Sequence, residues 1–380
     1  MKVSPSAAVA ERRVPGWLRS FLVVGLVYLF LVGVSALESG IEIMGEDVQE
    51  RLFSSVSNPI AGLCIGILGT VLVQSSSAST AVIVGLVATG NISIDDAVPM
   101  IMGANIGTTV TNTLVALGSV RNSNEFRRAF AAATVHDFFN VLAVAILLPL
   151  ELLTGAISSV ATWISERLVG SAGSDWKSPV KEWVRTPVGW IVDVWEGLGL
   201  NGNVLGVVVV VSGLVIVLFS LSLITKNMRE LIADRVERSI NTVLGRGSGS
   251  VAMLLGLVIT ISVQSSSITT SILIPLSAAG VLSLRNAYPV TLGANVGTTI
   301  TALLAALATS VPAALTVALV HTTFNVVGIA VLYVPPWWRY VPVTMAERLA
   351  DLAVNRRAMA VAYVMGVFVV MPLLGVALLR

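Results

Sequence analysis

The chain has 380 residues, 55% of them hydrophobic and only 12% charged, with a net charge of +2 and a mean hydropathy of +0.89. Soluble domains carry roughly 25% charged residues, and apolar runs of about 20 residues recur here, so a bilayer is the required solvent. The runs are continuous rather than alternating, which excludes an outer-membrane barrel, and the arginines fall in short clusters between them, which argues against nucleic acid as a partner.

In chain order, residues 1–20 carry Arg12, Arg13 and Arg19 ahead of a first apolar span at 21–37. A second span at 204–225 stands in the same place ahead of a later, similar stretch, so 21–37 is read as a retained span and not a signal peptide. Residues 38–57 are acidic and read as interfacial. An apolar stretch at 59–90 is too long for one crossing and has a polar centre, so a re-entrant hairpin is expected. Cys64, the lone cysteine, lies within it and reads as a small buried hydrophobe. Segment 96–118 is interrupted by Gly-Ala-Asn-Ile-Gly-Thr-Thr and predicts a broken helix, followed by a span at 126–150. Residues 151–203 form a linker whose part from 168 holds Gly, Ser, Pro and four tryptophans, read as a loop outside. After the 204–225 span come a second hairpin at 249–280, a second broken helix at 287–309, and a span at 311–334. An interfacial helix at 335–357 with Trp337 and Trp338 precedes a last span at 358–379.

The two halves repeat. Gln74-Ser75-Ser76-Ser77 recurs as Gln264-Ser265-Ser266-Ser267, 190 positions later, and the offset holds without a gap from Gly66/Gly256 to Thr111/Thr301. GANIGTTVT (103–111) matches GANVGTTIT (293–301). With a slip of five residues, HDFFN (136–140) matches HTTFN (321–325), and these hold the two histidines of the chain. The expected fold is therefore an all-α polytopic membrane protein. Its first repeat is 21–150 and its second 204–334, each with a re-entrant hairpin and a broken helix. Of the 23 Lys and Arg residues, 17 fall on one side of this layout; Arg51, Arg167, Lys177, Lys181, Arg185 and Arg380 fall on the other. That bias puts residues 1–20 in the cytoplasm. An odd number of crossings separates the hairpins, so they enter from opposite faces and the repeats are inverted, as alternating access requires.

Neighbouring helical residues are about 100° apart, so three consecutive serines share a site only at an unwound tip. Each tip also aims the N-terminus of a half-helix at that site, a cradle for an anion. A lone serine in a membrane helix more often bonds back to the preceding turn or joins two helices. A whole polar phrase repeated with its flanks asks for a binding role. No Lys or Arg occurs from Asn58 to Val120 or from Ser248 to Leu284. A bound anion would then need a bound cation, and hydroxyls, amides and free carbonyls are suitable ligands for an alkali ion. Asn105, Thr108, Thr109 and Thr111, with Asn295, Thr298, Thr299 and Thr301, supply them in duplicate. Each ion would bind well only with the other, which is the physical basis of cotransport. Asp137, the one acid placed inside a span, marks a cation path; the bland alternative pairs it with Arg127 or Arg128. Its repeat partner is Thr322, so that cation site would be unique to the first half. His136 and His321 read equally well as packing residues. An intramembrane serine hydrolase needs one activated serine on a base, and a duplicated serine phrase without GxSxG speaks against it, so no enzyme is expected. A passive anion channel or a scaffold is the remaining class.

MGANIGTTVTNT (102–113), FRRAFAAATVHDFFN (126–140) and NAYPVTLGANVGTTITALLAAL (286–307), in this order with paired QSSS phrases, resemble the type II sodium/phosphate cotransporters over residues 21–379. The resemblance implies sodium-driven uptake of inorganic phosphate by a bacterial member of that family in the plasma membrane, with membrane lipid around it. Another small oxyanion or a carboxylate is the alternative substrate. It implies phosphate at Gln74, Ser75, Ser76, Ser77, Gln264, Ser265, Ser266 and Ser267. Sodium falls to Asn105, Thr109, Thr113, Asp137, Asn140, Asn295, Thr298, Thr301 and Asn325, with no cofactor and no transition metal. Residues 119–124 (SVRNSN) depart from the family pattern where vertebrate members carry a Gln and an Asp tied to sodium, and Ala294 stands in place of a serine, which leaves sodium stoichiometry open. Oligomeric state is left open too.

Overall fold

Asn58 starts the first hairpin by accepting the backbone N–H groups of Ile60 and Ala61 on its side chain, while Pro59 occupies a position where no N–H is needed. The hairpin has two arms, α2 (Pro59–Val73) and α3 (Ser76–Ala88). At 15 and 13 residues they reach about 22 and 20 Å, short of the roughly 30 Å hydrocarbon core, so neither arm spans it. The second hairpin repeats the pattern with α10 (Gly249–Val263) and α11 (Ser266–Ala278).

The computed structural model describes residues 15–44, 58–169, 179–246, 249–309 and 311–379. Among them every regular element is a helix. The remaining elements are α1 (Gly16–Ile43), α4 (Ile94–Gly107), α5 (Val110–Leu117), α6 (Ser123–Thr154), α7 (Ala156–Val169), α8 (Pro179–Gly197) and α9 (Gly202–Arg246). They continue with α12 (Leu284–Leu307), α13 (Pro312–Leu332), α14 (Val341–Asn355) and α15 (Ala358–Leu379), the last with a π-helical turn at Gly366–Val370. Seven stretches are long and apolar enough to cross a membrane: Gly16–Ile43, Ile94–Leu117, Ser123–Thr154, Gly202–Met228, Leu284–Leu307, Pro312–Leu332 and Ala358–Leu379.

Each hairpin is locked to the helix that follows it by backbone contact. A Cβ on Gly66 would collide with the carbonyl of Met100, and one on Gly103 with that of Leu63. In the second copy Gly256 lies on the carbonyl of Val290 and Gly293 on that of Met253. Only glycine allows helices this close. The second arm of each hairpin crosses into the other half: α11 packs on α6 and α5, and α3 on α13 and α12. α1 and α9 pack side by side, α14 lies along α6, and α15 covers α2, where Gly375 meets Cys64.

Three expectations change. The second copy is not broken, since α12 is one 24-residue helix. In the first copy Asn140 Nδ2 donates to the backbone carbonyl of Asn105 at 2.7 Å, and Thr109 N turns instead to Ile106 O at 3.3 Å. Its counterpart Asn325 donates to His321 O on its own helix, at 2.9 Å, so the second helix keeps its ladder. The linker is largely helical, formed by α7 and α8: Val184 and Val188, one turn apart, are buried while Trp183 and Trp190 stay exposed. Finally α1 runs on through Glu38, which is buried and paired with Lys181 at 2.9 Å rather than interfacial. The rest of the acidic stretch (45–57), residues 1–14 and 170–178 lie outside the described residues.

Candidate functional site

The two tips are built alike and meet. Gln74 and Gln264 both adopt φ 55°, the left-handed conformation that ends α2 and α10, and they are the non-glycine residues with positive φ among those described. Their side chains hold this turn in place. Nε2 donates to Val71 O at 2.5 Å and to Ile261 O at 2.7 Å, while Oε1 accepts from Thr111 at 3.1 Å and from Thr301 at 2.9 Å. Ser75 and Ser265, extended at φ −150° and −154°, then cap α3 and α11 by accepting from Ala78 N and Ile268 N.

All eight residues of the two phrases line one cavity of about 350 Å³, together with Thr111 and with Leu218, Leu221, Ser222 and Thr225 of α9. Among the described residues no charged one is on its wall. The N-termini of α3 and α11 both open onto it, and each carries orphan N–H groups and the positive end of a helix dipole. The cavity therefore offers hydroxyl and amide donors from both halves to a compact oxyanion. Each glutamine Nε2 spends one of its two N–H groups on the tip, so the second remains for a ligand beside the serines and the backbone.

The predicted cation residues fall into separate places. Asp137, fully buried, lies near the middle of the 32-residue α6, with Thr109 and Thr113 flanking its carboxylate and Tyr363 donating to Oδ2 at 3.1 Å. Its Oδ1 and Thr113 Oγ1 are buried without a hydrogen-bond partner, two oxygens facing an unfilled need. Asp137 does not pair with the neighbouring arginines: Arg127 is bound to Asp351 on α14, and Arg128 Nε donates to Ala278 O at 2.8 Å. Among the described residues two other acids are buried and both have partners, Glu38 with Lys181 and Glu151 with the backbone N–H groups of Ile157 and Ser158.

Asn105, Asn140 and Asn295 form one buried cluster, in which Asn295 Nδ2 donates to Asn140 Oδ1 at 2.7 Å. Asn325 Oδ1 is buried and unpartnered. Thr298 bonds back to Ala294 O at 3.0 Å, the ordinary behaviour of a helical threonine, and Thr301 joins the tip through Gln264. Sequence reasoning missed how the histidines are used: His136 Nε2 bonds Asn295 Oδ1, and His321 Nε2 bonds Asn105 Oδ1 at 3.4 Å, each reaching the opposite half. The signal was there, since the two histidines and the two asparagines sit at equivalent places in the repeat. The hydrogen bonds of both rings run to asparagine.

Residues 29–164 and 216–340 match the family model described as Na+/Pi-cotransporter. The chain belongs to this family. It is 34% identical over 421 residues to sodium-dependent phosphate transport protein 2A of Rattus norvegicus, covering 92% of this chain and 66% of the rat protein. To sodium-dependent phosphate transport protein 2B of Homo sapiens it is 33% identical over 444 residues, covering 93% of this chain and 64% of the human protein. The chain thus spans just under two thirds of the length of these relatives. No solved structure matches it. Family membership and the seven apolar stretches make it a multi-pass membrane protein.

Proposed function

We propose that the chain is a sodium-coupled secondary active transporter that imports inorganic phosphate by alternating access. One observation carries the reading: two Gln-Ser-Ser-Ser tips, one from each half, line a single cavity with no charged residue on its wall among those described. Phosphate held by Ser75, Ser76, Ser77, Ser265, Ser266 and Ser267 and two helix N-termini needs a cation nearby to offset its charge. Asp137, Thr109 and Thr113 supply oxygens for one sodium ion, with Asn140 and Asn105 one helical turn away. Asn295, Thr298, Thr301 and Asn325 are the candidates in the second half. The names of the relatives, sodium-dependent phosphate transport proteins, support the same pair of ions. Three candidate spans, Ile94–Leu117, Ser123–Thr154 and Gly202–Met228, separate the hairpins, so they enter from opposite faces and the repeats are inverted. The excess of Lys and Arg on one side of the layout supports a cytoplasmic N-terminus, and we take the membrane to be the plasma membrane of a bacterium.

Radiolabelled phosphate uptake into proteoliposomes tests this, with sodium, lithium or potassium outside and sulfate or small carboxylates as competitors. Uptake is expected with sodium and not with potassium, and should be displaced by phosphate alone. Uptake indifferent to the cation would refute coupling, and displacement by a carboxylate would give the site to the alternative substrate class.

A further inference from the structure

The buried polar groups between the second tip and the asparagine cluster form one directed chain, and the donor and acceptor at every step follow from its two ends. Thr270 Oγ1, one turn beyond Ser266 on α11, donates to Asn112 Oδ1 at 2.8 Å. Asn112 Nδ2 faces His136 Nδ1 at 3.4 Å, and since the amide nitrogen only donates, Nδ1 is the accepting nitrogen. The ring proton is then on Nε2, which donates to Asn295 Oδ1. Asn295 Nδ2 donates to Asn140 Oδ1 at 2.7 Å, and Asn140 Nδ2 donates to the carbonyl of Asn105 at 2.7 Å. Every member is at most 4% exposed. The path crosses between halves three times and ends on the carbonyl whose diversion breaks the helix between α4 and α5.

Two features make this more than internal packing. First, it is made once and has no equivalent copy: at the offset of 190 the counterpart of Asn112 is Ala302, and Thr80, the counterpart of Thr270, donates to its own helix at Ser77 O, 3.2 Å away. His321 Nδ1 is accordingly left without a partner. The first half, with Asn112, also holds Asp137 and Thr113, whose counterparts are Thr322 and Leu303. Second, its starting hydroxyl has two equal choices. Thr270 Oγ1 lies 2.8 Å from Asn112 Oδ1 and 2.8 Å from Ser266 O, and it has one proton to give. A single rotor thus decides between closing the chain and bonding the cradle's own backbone, a two-state element that both ends can bias.

Building on the transport reading, we propose that Thr270, Asn112 and His136 are positioning residues that couple phosphate at the second tip to sodium at the Asp137–Asn140 region. A cation that draws Asn140 Oδ1 toward itself takes it from Asn295 Nδ2. The ring of His136 and the amide of Asn112 then reorient, and the Thr270 proton moves to Ser266 O. Phosphate at Ser266 biases the same rotor from the other end. Linkage requires the effect to be reciprocal: sodium tightens phosphate by the factor by which phosphate tightens sodium.

The test is equilibrium binding of radiolabelled phosphate to the purified, reconstituted chain across a sodium titration, in wild type, Thr270→Val, Thr270→Ser and His136→Phe. The readout is the coupling factor, the ratio of phosphate Kd without and with saturating sodium, which is typically about 5 to 150 for coupled sites. We expect Thr270→Val and His136→Phe to bring it toward 1, and Thr270→Ser, which keeps the hydroxyl, to retain it. A wild-type factor in Thr270→Val overturns the proposal, as does loss in Thr270→Ser equal to that in Thr270→Val. If His136→Phe does not fold, the two Thr270 variants decide. Wild-type protein that binds phosphate without regard to sodium refutes the transport reading itself, and the proposal with it; sodium-dependent wild type with an unaffected Thr270→Val refutes the proposal alone.

Discussion

In the proposed transport reading the first sodium ion depends on Asp137, a buried acid whose Oδ1 has no partner while both nearby arginines are engaged elsewhere. Removing its charge should therefore act on sodium and not on an ion pair. For Asp137→Asn we expect a rightward shift of the sodium dependence of phosphate transport and weaker voltage dependence, with folded yield near that of wild type. Each charge moved through 100 mV is worth about 2.3 kcal/mol, so its loss is visible in transport current on reconstituted protein. An unaltered sodium curve and unaltered voltage dependence would remove Asp137 from the cation site. The acid could be singled out from sequence because it sits in an apolar run and is answered by threonine in the other half. What sequence could not show is how the histidines and asparagines are paired. The Nε2 partners of His136 and His321 lie 159 and 216 positions away, and only the crossing of the halves brings them together.

At the level of elements, the hairpins depend on glycines that allow backbone to touch backbone. Gly66→Ala and Gly256→Ala should each cost about 1–3 kcal/mol through overpacking. A fall in the thermal midpoint of the purified protein, relative to Gly25→Ala, would show it; the Gly25 Cβ meets nothing within 4 Å. Equal midpoints for all three would mean the hairpins are not seated this way. The contact between α6 and α14 is of a weaker kind. Arg127 holds the Asp351 carboxyl below its ordinary value. This pair's contribution is present above the unfolded pKa of about 4 and is lost as pH falls through the depressed folded value. With both side chains about half exposed it is worth at most about 1 kcal/mol. Midpoints of wild type and Asp351→Asn should differ slightly at pH 7 and converge near pH 3. The hairpins and spans were legible because their apolar length and polar centres are local properties. The break confined to the first copy was not, because GANIGTT and GANVGTT are nearly identical and the cause is Asn140 on another helix. The linker read as loop from its Gly, Pro and mixed charge, although the spacing of Val184 and Val188 already carried a helical period.

For the whole molecule, the proposed inversion of two halves about one cavity requires a defined orientation. The C-terminus should be outside, since seven crossings starting from a cytoplasmic N-terminus end on the far face. A reporter fused after Arg380 that works only in the cytoplasm should stay dark, and a bright one would put the layout wrong by one crossing. The shared cavity has a consequence that can be measured directly on the purified protein. Phosphate binding in saturating sodium should give one phosphate per chain. Ser76→Ala and Ser266→Ala, equivalent residues on opposite tips, should each weaken it about ten- to a hundredfold, the worth of a hydrogen bond to a charged group. Two phosphates per chain, or wild-type affinity in either variant, would contradict a single site held jointly by the two tips.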